Sequence, residues 1–224
     1  MLARQRFLYL SLLLFFFSSD LLSAEWEKIA EKDGVTSWKK DIPDSSLFAF
    51  KAKAKITGSF SRLINAFLDV KHHKKWVDMY NGAELVKKLD GYSSNLYHRI
   101  ILPSPIHMVV DERDFVLEMN ISADPEKKEF KGQMRSIELP ARPNKDCCVR
   151  ARVEYGRFLF KSLAAEKAIE IEVEAHIDPK GVVPGWIVYY VQKHWAADTI
   201  LGLKKVASDK SIAKHSDFLN WESN

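Results

Sequence analysis

Near the C-terminus, Ala168-Ile-Glu-Ile-Glu-Val-Glu-Ala-His-Ile177 alternates apolar and polar side chains from Ile169 onward. Asp178-Pro-Lys-Gly-Val-Val-Pro184 then leads straight into a long aromatic-rich segment. A two-residue period marks a strand with one buried and one wet face. Sheets of such strands are typically antiparallel and need a cover. The cover on offer is the segment from Pro184, a residue tolerated in a helix's first turn, to about Ser208. Trp186, Ile187, Val188, Tyr189, Tyr190, Val191 and Trp195 make its first half apolar around much of its circumference. That is wider than a single core stripe. The helix is therefore expected to be contacted on several sides, by ordinary burial between sheet and loops or by lining an internal cavity.

Residues 1–24 stand apart from the fold. Arg4 and Arg6 form a positive n-region, Phe7 to Phe17 is almost wholly apolar, and Ser23-Ala24 offers small residues for cleavage before Glu25. The apolar run is shorter than the roughly twenty residues that cross a bilayer. A cleaved secretory signal is expected over 1–24, followed by a domain over 25–224 in a secreted or periplasmic location; an uncleaved anchor is the alternative. About two hundred residues suit one domain with a sizeable core. Without Arg4, Arg6 and Asp20 the formal net charge falls from +4 to +3. Lysines and acids are interspersed, with no like-charge run or basic-aromatic motif, so no nucleic-acid partner is expected. The mild basicity is compatible with transient contact with an anionic membrane, and a monomer is expected.

The two cysteines, Cys147 and Cys148, are neighbours. Adjacent side chains of a strand point to opposite faces. The expectation is therefore one inward and one surface thiol, with a strained vicinal disulfide or an intermolecular bridge as the alternative. His72-His73 lack the i, i+4 spacing of helical zinc ligands, and neither a metal site nor a cofactor is expected.

Along the chain, Trp26 to Val35 reads as a short amphipathic helix stopped by Asp33-Gly34, followed by a strand to Lys40. From Leu47 to Ile56 the pattern alternates strictly, with Phe48, Phe50, Ala52, Ala54 and Ile56 against Lys51, Lys53 and Lys55. Gly58-Ser59 introduces a helix with Leu63, Ile64, Phe67 and Leu68 on one face, and a further helical turn spans His72 to Trp76. Strands are expected over Glu84 to Asp90, Asn95 to Leu102, Arg113 to Ile121, Glu129 to Ile137, Cys147 to Tyr155 and Ala168 to Ile177. Pro103-Ser-Pro105, Asp124-Pro125, Pro140 to Asp146 and Gly156 to Glu166 read as breaks. Arg150, Arg152 and Glu154 form the polar face of one strand and Glu170, Glu172 and Glu174 that of another. Facing opposite charges stabilise neighbouring strands by roughly 0.2–1 kcal/mol per pair, so these two strands are expected to be adjacent.

Arg113 falls on the apolar face of its strand with Phe115, Leu117, Met119 and Ile121. An unpaired buried charge is very costly, so Arg113 needs a structural partner or a ligand oxygen. Arg99 alternates with Tyr97 and Ile101, opposite the more apolar set Leu96, His98, Ile100 and Leu102, which favours a surface position for Arg99.

Four segments in order resemble the START domain, a lipid-transfer family. Lys32-Asp-Gly-Val-Thr-Ser-Trp-Lys39 is similar to its opening strand, and Phe67-Leu-Asp69 with Lys75-Trp76 to its first helix and tryptophan segment. Pro103-Ser-Pro105 leading to Arg113-Asp-Phe-Val116 is similar to its proline and "RDFV" segment, and Asp178 to Pro184 with Trp186 to the start of its C-terminal helix. The resemblance covers nearly all of 25–224. It implies an α+β helix-grip fold, a curved antiparallel β-sheet wrapped around a long C-terminal α-helix with an internal hydrophobic cavity for one lipid or other hydrophobic small molecule. It also implies that a cavity arginine and a carboxylate often meet the polar part of the ligand, and Arg113 occupies the arginine's motif position. On that fold the candidate ligand-binding residues are Arg113, Arg99, Tyr97, Trp76, Phe115, Leu117, Trp186, Tyr190 and Trp195; the aromatic ones can equally be plain core.

The function expected is an exported, non-enzymatic lipid-binding and transfer protein, without catalytic residues. The alternative is a helix-grip cyclase or hydrolase, for which His107 and His194 are the candidate acid or base. A ligand-responsive interaction module is a third reading.

Overall fold

The computed structural model describes residues 25–144 and 146–222. The expected signal over 1–24 lies outside the described residues. Strict alternation builds the sheet where the sequence shows it most plainly. In β3 (Ala49–Thr57) Phe50, Ala52, Ala54 and Ile56 are buried, and in β10 (Ala168–Asp178) Ile169, Ile171, Val173 and Ala175 are buried. The two strands pair antiparallel, with Glu170, Glu172 and Glu174 opposite Lys55, Lys53 and Lys51. The remaining strands are β1 (Glu27–Lys32), β2 (Val35–Lys40), β4 (Tyr80–Lys88), β5 (Ser94–Ile100), β6 (Glu112–Asp124), β7 (Glu129–Ser136), β8 (Cys148–Arg150) and β9 (Arg152–Leu163). They form one sheet in the order β1-β2-β3-β10-β9-β7-β6-β5-β4, antiparallel except for the short β8, which runs parallel to β6.

Two helices complete the fold: α1 (Phe60–Leu68), capped by the Ser59 hydroxyl accepting from the Arg62 amide at 3.2 Å, and α2 (Gly185–Ser208). The C-terminal half of α2 is core. Ile200, Leu203 and Val206 pack with Leu63 and Ile64 of α1, beneath a cluster of Phe60, Phe130, Phe160, Phe218 and Trp221. Gly202 makes this approach possible, because a Cβ there would lie 2.3 Å from the carbonyl oxygen of Trp76. The N-terminal half of α2 instead spans an internal space. Lining residues come from both β3 and β5, five steps apart in the sheet. Flat, those strands would be roughly 24 Å apart, so the sheet curls around the helix. This is the expected α+β helix-grip architecture.

Several local expectations are corrected. Trp26 to Val35 is not a helix: Glu27–Lys32 is an edge strand. Asp33 and Gly34 both take positive φ, at 54° and 78°, which is the two-residue turn that closes a right-twisted hairpin. It pairs Lys32 with Val35 and outweighs a weak helical spacing. Gly156 to Glu166 is largely strand rather than turn. Phe158, Phe160 and Ser162 point inward, and the chain reverses only at Ala164–Glu166, with Lys167 left-handed. The strand read over Cys147 to Tyr155 breaks at Ala151, whose amide donates to the Asp114 carbonyl at 3.0 Å.

The strands β9 and β10 are neighbours as expected, although with different charge partners. Arg157 and Lys161, from the segment read as a turn, stand opposite Glu174 and Glu170, whereas Arg150 pairs with Asp114 at 2.8 Å. Cys147 and Cys148 are joined in a vicinal disulfide. The expectation of opposed thiols fails because Cys147 lies in the turn before β8, where the strand alternation does not apply.

Candidate ligand cavity

The inner face of the curled sheet and one stripe of α2 enclose the cavity. From β5 come Leu96, His98 and Ile100, and from β6 come Arg113, Phe115, Leu117 and Met119. The helix supplies Ile187, Val188, Val191, Gln192, Trp195 and Thr199, positions that recur at helical spacing along one face. Phe67 and Trp76 stack at 5.7 Å between ring centres and close the inner end. The cavity has a volume of about 170 Å³. Its walls are mainly aliphatic, aromatic and thioether groups, so transfer of apolar ligand surface out of water is the main source of affinity, at roughly 25 cal/mol per Å².

Five of the sequence-predicted residues meet at this space: Trp76, Arg113, Phe115, Leu117 and Trp195. Four do not. Tyr97 and Arg99 lie on the other face of β5, since Leu96, His98 and Ile100 take the inner one. Arg99 pairs with Glu112 at 2.5 Å, and Tyr97 is buried against the Arg142 guanidinium, 5.5 Å from its ring. Trp186 and Tyr190 are 68% and 55% exposed. The first turns of α2 face the cavity on one side and solvent on the other, so the width of the apolar surface does not translate into burial. Phe48 and Phe50 instead meet Tyr189, at 6.0 and 6.1 Å between ring centres.

Arg113 is held by carbonyls rather than by a carboxylate. Its Nε donates to the Pro179 oxygen at 3.2 Å, Nη2 to the Lys180 oxygen at 3.1 Å, and Nη1 to the Asp111 oxygen. Burial lowers its pKa and the nearby Asp111 opposes that shift. The side chain thus ties the start of β6 to the Asp178–Pro184 connection that leads into α2. One N–H on each terminal nitrogen carries no hydrogen bond among the described residues.

Sequence reasoning missed the histidines of the cavity. His73, in the 3-10 helix Val70–Lys75, places Nδ1 2.9 Å from Nε2 of His98 and Nε2 2.9 Å from the Phe67 carbonyl oxygen. The signal for His98 was its alternation with Leu96, Ile100 and Leu102. His107 and His194, the candidate acid and base, are exposed and do not line the cavity. At the mouth, Leu102, Val110 and Ile187 pack with Ile106 and Val183, joining the loop before β6 to the start of α2. The same two segments expose Met108, Val109, Val182 and Trp186, with Val109 and Val182 at 81% and 96%.

A family model described as START domain matches residues 18–206. The chain is 22% identical over 193 residues to a phosphatidylcholine transfer protein of Mus musculus, covering 84% of this chain and 86% of that protein. Human StAR-related lipid transfer protein 5 superposes with a TM-score of 0.71 at 17% identity, covering 81% of this chain and 86% of that one. A STAR-related lipid transfer protein from Xanthomonas axonopodis gives a TM-score of 0.67 at 16% identity, over 81% of this chain and 98% of that one.

Proposed function

The chain belongs to the START domain family, and from that premise we propose that it is a non-enzymatic carrier which, as a monomer, encloses one lipid in the cavity beneath α2. The observation that carries the reading is the cavity itself: a mainly apolar space between curled sheet and helix, with few polar groups in its lining. Such a site binds by apolar burial and orients by its few polar contacts. The names of the similar proteins, a phosphatidylcholine transfer protein and StAR-related lipid transfer proteins, support the same class of cargo.

The carrier works in an exported compartment, a reading supported by the signal pattern of residues 1–24. It exchanges cargo by transient contact with a membrane through the mouth, where Met108, Val109, Val182 and Trp186 present apolar side chains to solvent. Exposed apolar clusters of this kind mark contact surfaces. Among the described residues no helix is long and apolar enough to cross a membrane.

Native purification followed by mass spectrometry of an organic extract tests the reading. One lipid class recovered in about equimolar amount is expected. A protein that carries none, and takes up neither fluorescent lipids nor sterols, contradicts it.

A further inference from the structure

The buried His73–His98 pair faces the ligand space. We propose that His98 offers the ligand a bare imidazole nitrogen and so selects a lipid whose buried end carries a hydroxyl group. This rests on the carrier reading and specifies its cargo.

The proton positions follow from the hydrogen bonds. The Phe67 carbonyl can only accept, so Nε2 of His73, 2.9 Å away, carries a hydrogen. Burial lowers both histidines from 6.5, His73 to about 4 and His98 to about 3, the latter also by the charge His73 would carry. Both rings are therefore neutral near pH 7, with one N–H each. His73 has its hydrogen on Nε2, so its Nδ1 accepts. The 2.9 Å contact to Nε2 of His98 is then donated by His98. That leaves Nδ1 of His98 as a lone-pair acceptor.

Only 9% of His98 is exposed, and its side chain shares the cavity face of the sheet with Phe115 opposite it in register. Its Nδ1 makes no hydrogen bond among the described residues. Two polar groups of the cavity wall have partners of their own: Gln192 donates from Nε2 to the Ile177 carbonyl at 2.6 Å, and Arg113 donates to the three carbonyls at the mouth. Before a ligand arrives, water can satisfy the nitrogen. A ligand that displaces this water without replacing its hydrogen bond loses affinity. A hydroxyl replaces it, whereas an ester, ether or phosphodiester oxygen brings only lone pairs to a lone pair. Sterols and diacylglycerols share the required donor.

The test compares two alcohol and ether pairs supplied from vesicles: cholesterol with its 3-O-methyl ether, and dioleoylglycerol with its O-methyl ether. The wild-type protein should prefer the free alcohol about tenfold in at least one pair, which also tells a sterol from a glyceride cargo. His98→Phe should lose that preference by weakening alcohol binding and sparing the ether. In wild-type protein the 15N resonance of His98 Nδ1 should move in the direction of hydrogen-bond acceptance when the alcohol binds and not when the ether does, a readout independent of how the variant folds. Equal binding of alcohol and ether in both pairs overturns the proposal and leaves the carrier reading intact. Preferred uptake of lipids without a free hydroxyl does the same. Failure to take up any lipid removes the carrier reading and this proposal with it.

Discussion

Arg113 does at the mouth what a disulfide or ion pair does elsewhere: it ties together segments far apart in sequence. Its guanidinium reaches carbonyls 66 and 67 residues away, and Gly181 passes 3.5 Å from Nη2 measured from where a Cβ would stand. Arg113→Met keeps the bulk and removes the donors, leaving three carbonyls to find water. The expected loss is about 2–4 kcal/mol in urea unfolding, with faster amide exchange over 179–184; unchanged exchange there would show that the clamp does not hold the connection. The inward position of Arg113 was legible from its alternation with Phe115 and Leu117. Its partners were not, because carbonyls on a remote loop leave no mark in side-chain pattern.

The histidine pair makes stability depend on pH. His73 and His98 have folded-state pKa values of about 4 and about 3, below the ordinary 6.5. As pH falls below 6.5 the unfolded chain takes up protons that the folded chain refuses, so stability drops. Each histidine contributes up to about 1.4 kcal/mol per pH unit between 6.5 and its folded value. Urea midpoints at pH 6.5, 5.5 and 4.5 should therefore fall less steeply in His98→Phe than in wild type. Parallel slopes would mean that His98 is not buried in its neutral form.

Among the elements, α2 holds two different jobs along one axis. Its C-terminal half is packed against α1 and the segment ending at Trp76, with Gly202 at the closest approach. Alanine is intrinsically the better helix former by about 1 kcal/mol, yet its Cβ would lie 2.3 Å from the Trp76 oxygen. The clash decides the sign: Gly202→Ala should destabilise by about 1–3 kcal/mol in thermal or urea unfolding. A stabilised variant would show that this contact yields without cost. Strands β3 and β10 were readable because each buries one face along most of its length, which writes the two-residue period into the sequence. The errors had local causes. Six residues of β1 are too few to show a clear strand period, so a weak helical spacing competes with it and Asp33-Gly34 reads as a helix stop instead of a hairpin turn, and Gly156 reads as a break although it sits within β9. Around Gly156 an added Cβ would meet Met134 at 2.8 Å, so the glycine serves close packing between strands rather than a turn.

At the scale of the molecule, curling a sheet around the first half of α2 leaves an apolar space that the chain's own side chains do not fill. Periodicity could show an apolar helix face but not what stands opposite it, which is why Trp195 lines the cavity while Trp186 and Tyr190 face solvent. The same geometry gathers Val109, Val182 and Trp186 at the mouth from segments that are remote in sequence. Replacing Val109 and Trp186 by serine should weaken binding to anionic vesicles several-fold while leaving the unfolding midpoint within about 0.5 kcal/mol, as expected of exposed positions. Retained vesicle binding would place the membrane contact elsewhere on the surface. A carrier of this kind holds its cargo in the cavity. A high-resolution electron-density map of protein purified without detergent or added lipid should show one continuous feature running between Phe115, Leu117 and Trp195, with a hydroxyl oxygen within hydrogen-bond distance of His98 Nδ1. A cavity closed by collapsed side chains, or holding ordered water alone, would contradict the account.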